Sequence, residues 1–203
     1  MDKIKYMHAN PLPGKRYLTF EQFNLITDIR NQWQQLTTWI MLLINCAVEQ
    51  SENLETVAEK TYSKIPLDFY YTFQVFYGKT QAEFFLRLLS NHILIVWKLA
   101  EAVKNNEQDL VDKTTIDLYN NSDELALFLA EVNPFWAQTV WKQALDYYNA
   151  MIIELIMAIV QKDYNMMVKL YDKMIDHAVI LGDIMSRGII ASGVFLEEQE
   201  STE

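Results

Sequence analysis

The chain has 203 residues, 51% hydrophobic and 22% charged, with a formal net charge of −10. That balance belongs to a globular protein, and the length suits one well-buried core. The acid excess argues against a nucleic-acid partner, which needs a basic stripe to displace counterions, and beyond Gly14-Lys15-Arg16 there is no Lys/Arg cluster.

Residues 1–18 read as an extended arm, because Pro11, Pro13 and Gly14 discourage helix. Thr19 followed three residues later by Gln22 is a capping box, and it opens a helix over 20–49. Phe23, Ile26, Arg30, Trp33, Leu36, Ile40, Leu43 and Ala47 form its stripe at three- and four-residue steps. A short helix follows and stops before Pro66. A second short helix starts at Pro66 and ends at Gly78.

Thr80 and Glu83 repeat the capping pattern and predict a helix over 80–104, with Phe85, Leu88, Leu89, Ile95, Val96, Leu99 and Val103 on one face. Asn106 is the expected N-cap of a helix over 107–131, which is expected to bend or break at "YNNSDE", residues 119–124. Asn133 as N-cap and Pro134 at the first position open a helix over 135–161. Lys162-Asp163 turns the chain into a last helix over 164–187, with Met167, Leu170, Met174, Ala178, Leu181 and Met185 facing the core. "AVKNNEQDLV" and "AIVQKDYNMMV" share a hairpin pattern. Residues 191–203 form an acidic tail.

Only 5 Gly and 4 Pro leave too few tight turns for a β-sandwich or barrel. The expected fold is all-α: an antiparallel bundle of about five long helices with a short helical pair after the first, joined by short loops. A membrane span needs about 20 apolar residues, and residues 93–97 and 147–160 fall short. No charged-then-apolar signal segment opens the chain, so the cytoplasm is expected. The single Cys46 excludes an internal disulfide framework and a cysteine zinc cage, and its apolar neighbours mark an inert core thiol.

No Gly-rich phosphate loop, dinucleotide fingerprint or Gly-x-Ser-x-Gly elbow is present, which argues against nucleotide-dependent and serine-hydrolase chemistry. His92 shares its helix face with Phe85, Leu88, Leu89, Ile95, Val96 and Leu99, so it points inward, where an imidazole needs a partner or a metal. The plainer alternative is a core histidine bonded to one neighbour. Glu154 is the only charge in "YYNAMIIELIMAIV" (147–160) and stands beside Tyr147, Ala150, Met151, Met157 and Ala158. Buried, it would need pairing or a proton; at the edge of the stripe it would reach water.

Asp123 neighbours Ile116, Tyr119, Ala126, Leu127 and Ala130; it is either inward or a first-turn acid after the Asn-Asn-Ser break. His177 borders the core stripe beside Asp172, Asp176 and Asp183, a row that reads as a solvated face. The candidate inner polar cluster is therefore His92, Asp123, Glu154 and His177. There is no Glu-x-x-His pair for a carboxylate di-iron bundle, and 3 His cannot build a histidine-rich iron site. No cofactor is predicted; one metal ion on His92, His177 and one or two carboxylates is the open alternative. The 5 Trp, 11 Tyr and 10 Phe read first as core, and they also suit the lining of a small-ligand pocket.

The stretches "RNQWQQLTTW" (30–39), "PLDF" and "VFYG" (66–78), "LLSNHI" (88–93), "YNNSDELALFLAEVNPFW" (119–136) and "YDKMIDHAVILGDIMSRGI" (171–189) carry a resemblance. With them the chain resembles a family of helical-bundle proteins of Bacillus- and Clostridium-type bacteria. Some members bear an acetylglutamate kinase label that no motif here supports. The resemblance implies His at positions where this chain has Leu36 and Tyr148, and Asp where it has Asn91, and it implies no activity. A chain that departs at those positions keeps His92 and His177 from a larger ligand set.

The expected function is non-enzymatic: binding of a small ligand or a partner protein through an inner polar pocket. The alternatives are a mononuclear metal site of hemerythrin- or ferritin-like descent and a purely structural oligomer, a homodimer for instance. Ala178, Gly182 and Ser186 make a row small enough for close helix approach, within the bundle or between chains.

Overall fold

The computed structural model describes residues 18–193; the expected N-terminal arm and most of the acidic tail lie outside that range. Among the described residues all regular structure is helical: α1 (Phe20–Glu49), α2 (Leu54–Glu59), a π-helical turn (Lys60–Lys64), α3 (Ile65–Asn105), α4 (Gln108–Val132), α5 (Gln138–Val160) and α6 (Tyr164–Ala191). The capping box forms as expected. Gln22 N donates to Thr19 Oγ1 at 3.2 Å, and Thr19 N donates to Gln22 Oε1 at 3.1 Å.

Pro66 does not stop the chain. The helix passes through it by widening into the π turn, and Pro66 stands at the start of α3. Proline removes one N–H from the ladder, which frees the carbonyl four residues back, at Tyr62. The Ser90 hydroxyl donates to that carbonyl at 3.3 Å. The reversal comes at Gly78, whose φ of 78° and ψ of 172° break α3 in two. In a straight helix Phe69 and Phe85 would stand about 24 Å apart; their ring centroids are 5.9 Å apart. Residues 65–77 and 79–105 are therefore an antiparallel hairpin.

Two further turns share one backbone solution. Asn106 and Lys162 adopt φ of 57° and 60°, and the next residues, Glu107 and Asp163, take ψ of 77° and 78°. Asn106 thus closes α3 instead of capping α4. The shared hairpin pattern in the sequence is a shared turn geometry. The helices alternate in direction and close into a ring as α6 returns to α1. There Thr38 Oγ1 meets the Tyr171 hydroxyl at 3.0 Å, and Arg30 Nε donates to Asp183 Oδ1 at 2.6 Å. Gly182 allows that approach, since a Cβ there would lie 2.8 Å from the Arg30 Cα. The small row on α6 meets α1 of the same chain.

α5 starts three residues later than the sequence suggests. Asn133 forms a side-chain turn with Phe135 N at 2.9 Å and donates Nδ2 to the Tyr77 hydroxyl at 2.8 Å. This swings Trp136 under the bundle. Its Nε1 donates to the carbonyls of Ile184 and Met185 at 3.1 and 3.2 Å. Gly188 leaves the space, because a Cβ there would meet the indole Nε1 at 1.8 Å. Burying the ring against Phe73, Tyr77 and Trp141 outweighs one extra helical turn; truncating such a ring costs about 3–5 kcal/mol.

α5 touches α1, α3, α4 and α6. By length and composition it would pass as a membrane span, but 56% of its most apolar window is buried inside the bundle. Cys46 is buried and free, as its apolar neighbours suggested.

Candidate functional site

Two of the four inward candidates are inward. His92 is buried between α3 and α4, where Nδ1 meets Asn121 Oδ1 at 2.9 Å. Asn121 Nδ2 donates to the Leu88 carbonyl at 3.2 Å. An amide whose nitrogen is committed to a carbonyl must present its oxygen to the ring. Nδ1 therefore carries the proton and Nε2 the lone pair. Burial lowers the His92 pKa to about 4, only partly opposed by the Asn121 bond, so the ring stays neutral.

His177 is buried between α5 and α6. Its Nε2 donates to the Ala144 carbonyl at 2.8 Å, and the ring stacks on Tyr148 at 6.3 Å with Tyr147 edge-on at 5.0 Å. Burial depresses its pKa too. Tyr148 in turn meets Thr37 Oγ1 of α1 at 2.8 Å, and burial raises its pKa.

Asp123 and Glu154 are outside, and both are corrections to the inward reading. Asp123 is exposed on α4 and pairs with Lys142 of α5, which also holds Asp146 at 3.1 Å. These bonds, first Asp123 and then Asp146, raise the Lys142 pKa. Glu154 is exposed on the outer face of α5, in a row with Tyr147 (44% exposed) and Met157 (40% exposed). α5 is apolar nearly all round, so its own pattern does not mark the outer face. The four candidates do not converge, and among the described residues no group of three or more His, Cys, Asp or Glu side chains gathers where it could hold a metal ion.

The polar groups that do enter the core are ones the pattern assigned elsewhere. α4 runs unbroken through "YNNSDE". Asn121 turns to His92, and Ser122 accepts from Asn149 Nδ2 at 2.7 Å. With partners on neighbouring helices, these side chains no longer compete for the α4 backbone. Asn149 lies on the fully buried stripe of Leu145 and Ile152, and that placement was the readable signal. Asn149 Oδ1 and the Nε1 atoms of Trp33 and Trp141 are buried without a hydrogen-bond partner.

Two of the clefts on the surface of the described residues bear on function. One, of about 640 Å³, runs between α3 and α4; Lys98, Glu101, Lys113, Asp117 and Glu124 line it, with Asn121 at its floor. The other, of about 580 Å³, lies between α2 with its π turn and the second half of α3. Its floor is Leu54, Ala58, Tyr62, Leu94 and Trp97, and Glu52, Glu55 and Glu59 stand along the α2 edge. Trp97 is fixed by its Nε1–H to Glu101 Oε1 at 3.0 Å. No motif could announce this groove, since its walls are some forty residues apart and the Gly78 reversal joins them.

The fold and its clefts define an all-α antiparallel bundle whose inward histidines are paired with neighbouring helices and whose surface carries open grooves. No family model matches the chain, and neither does any curated protein or solved structure.

Proposed function

We propose that this chain is a non-enzymatic cytoplasmic binding protein that takes a helix of a partner protein into the groove between α2 and α3. One observation carries the reading. The inward histidines are each closed on a neighbour, while the groove is an open apolar floor with carboxylates along one edge. Apolar grooves between helices receive amphipathic helices through anchors at i, i+3, i+4 and i+7. The π turn that forms one wall belongs to a class of helix distortion that recurs at functional sites.

The test is a photo-crosslinking amino acid at position 62, in the groove, compared with position 116, on the exposed face of α4. A partner helix predicts one protein adduct from position 62 that position 116 does not give, mapped to a single helical peptide. Identical adduct profiles from the two positions would end the proposal.

A second reading has its own support. The α3–α4 cleft ends on Asn121, whose carboxamide is held from behind by His92. A fixed amide below charges of both signs suits a small zwitterionic ligand. Asn120→Ala and Lys98→Ala would then weaken a ligand seen by native mass spectrometry; a natively purified protein carrying no small molecule would argue against it.

A further inference from the structure

We infer that the helix received by the α2–α3 groove is basic, with Lys or Arg along one flank at i, i+3 or i+4, and i+7. The inference rests on the groove being a helix-docking site and adds the chemistry of its occupant. Glu55 and Glu59 stand about one turn apart on α2, about 6 Å along its axis, and Glu52 lies in the turn just before it, so the three give one edge of the apolar floor a broken line of carboxylates.

The nearby cations leave most of that line unanswered. Lys64 pairs with Glu59 at 2.9 Å. Lys60 sits over the Trp39 ring, 5.7 Å from its centroid, and Lys98 lines the other cleft. Glu52 and Glu55 take part in no ion pair among the described residues. Glu101, which accepts from the Trp97 indole, lines the other cleft as Lys98 does, so the three α2-side carboxylates are the charges of this groove. A helix with an acidic flank on the α2 side would meet like charge along that edge. A helix with basic flanks would gain pairing and a faster encounter from a chain of net charge −10.

The probes are three fluorescein-labelled synthetic helices with one shared Leu face and Lys, Gln or Glu on the flank positions. Each is titrated into the full chain by fluorescence anisotropy at low and moderate salt. The proteins are wild type, the triple variant Glu52→Gln/Glu55→Gln/Glu59→Gln, and Leu94→Asp, each checked by circular dichroism melting. The expected order is Lys over Gln over Glu, with the Lys peptide weakened about tenfold by the triple variant, the combined effect of three exposed pairs. Added salt should shrink that gap.

Equal binding of the Lys and Gln peptides, unchanged by the triple variant but lost in Leu94→Asp, would overturn the basic partner and leave the groove reading standing. Binding of any peptide that Leu94→Asp does not weaken would overturn both. Self-association of wild type in sedimentation runs, abolished by Leu94→Asp, would assign the groove to a second copy and likewise overturn the proposal.

Discussion

Acidification should unfold this protein earlier than its carboxylates alone would, because His92 cannot accept a proton in place. In the unfolded chain an imidazole titrates near its ordinary 6.5; in the folded chain burial holds His92 at about 4. Above 6.5 both states are neutral and pH has no effect through this group. Below it the unfolded state binds a proton that the folded state refuses, so stability falls as pH drops from 6.5 towards 4. For those two pKa values the loss is about 2 kcal/mol at about pH 5 and approaches about 3.4 kcal/mol below the folded pKa. His177 adds in the same direction. The assay is urea unfolding followed by circular dichroism between about pH 7.5 and pH 5, where most carboxylates are still ionised. His92→Asn places an amide N–H near the Nδ1 position. It should lower stability at neutral pH by about 1–3 kcal/mol through lost packing, and flatten the pH slope. A wild-type change under about 0.5 kcal/mol, or a His92→Asn profile parallel to wild type, would refute the reasoning.

Gly188→Ala should destabilise the fold by about 2–5 kcal/mol in chemical denaturation, since its Cβ would displace the Trp136 indole and strand its N–H. An ordinary helical Gly→Ala change has the opposite sign, so the direction alone is diagnostic. Glu154→Gln should change stability by no more than about 0.5 kcal/mol, and Asp123→Asn by no more than about 1 kcal/mol, because both carboxylates are exposed. A Thr37→Val and Tyr148→Phe double-mutant cycle should return a coupling of about 0.5–1.5 kcal/mol for their buried hydroxyl pair. Tyr77, pushed up to about 12 by burial, should stay protonated in a spectroscopic titration that ionises exposed tyrosines.

The sequence by itself determined the all-α class and most of the helices in their order, though not the passage through Pro66 or the unbroken α4. Thr19 and Gln22 cap α1 because their side chains reach the free backbone N–H groups three residues away, a local fact. Apolar stripes at helical spacing named most of the buried faces, including that of His92, because one face of a helix is itself local. The tertiary structure alone decided what each inward polar group meets. Asn121 looked like a helix breaker until His92, twenty-nine residues away, became its partner. Glu154 looked like a buried charge because α5 is apolar on nearly every side, and only the neighbouring helices show which side they leave to water. The α2–α3 groove exists because Gly78 takes a left-handed backbone and folds α3 against itself. Helix formation depends on residues within a turn or two, whereas pairing, exposure and clefts depend on which surfaces the chain reversals bring together.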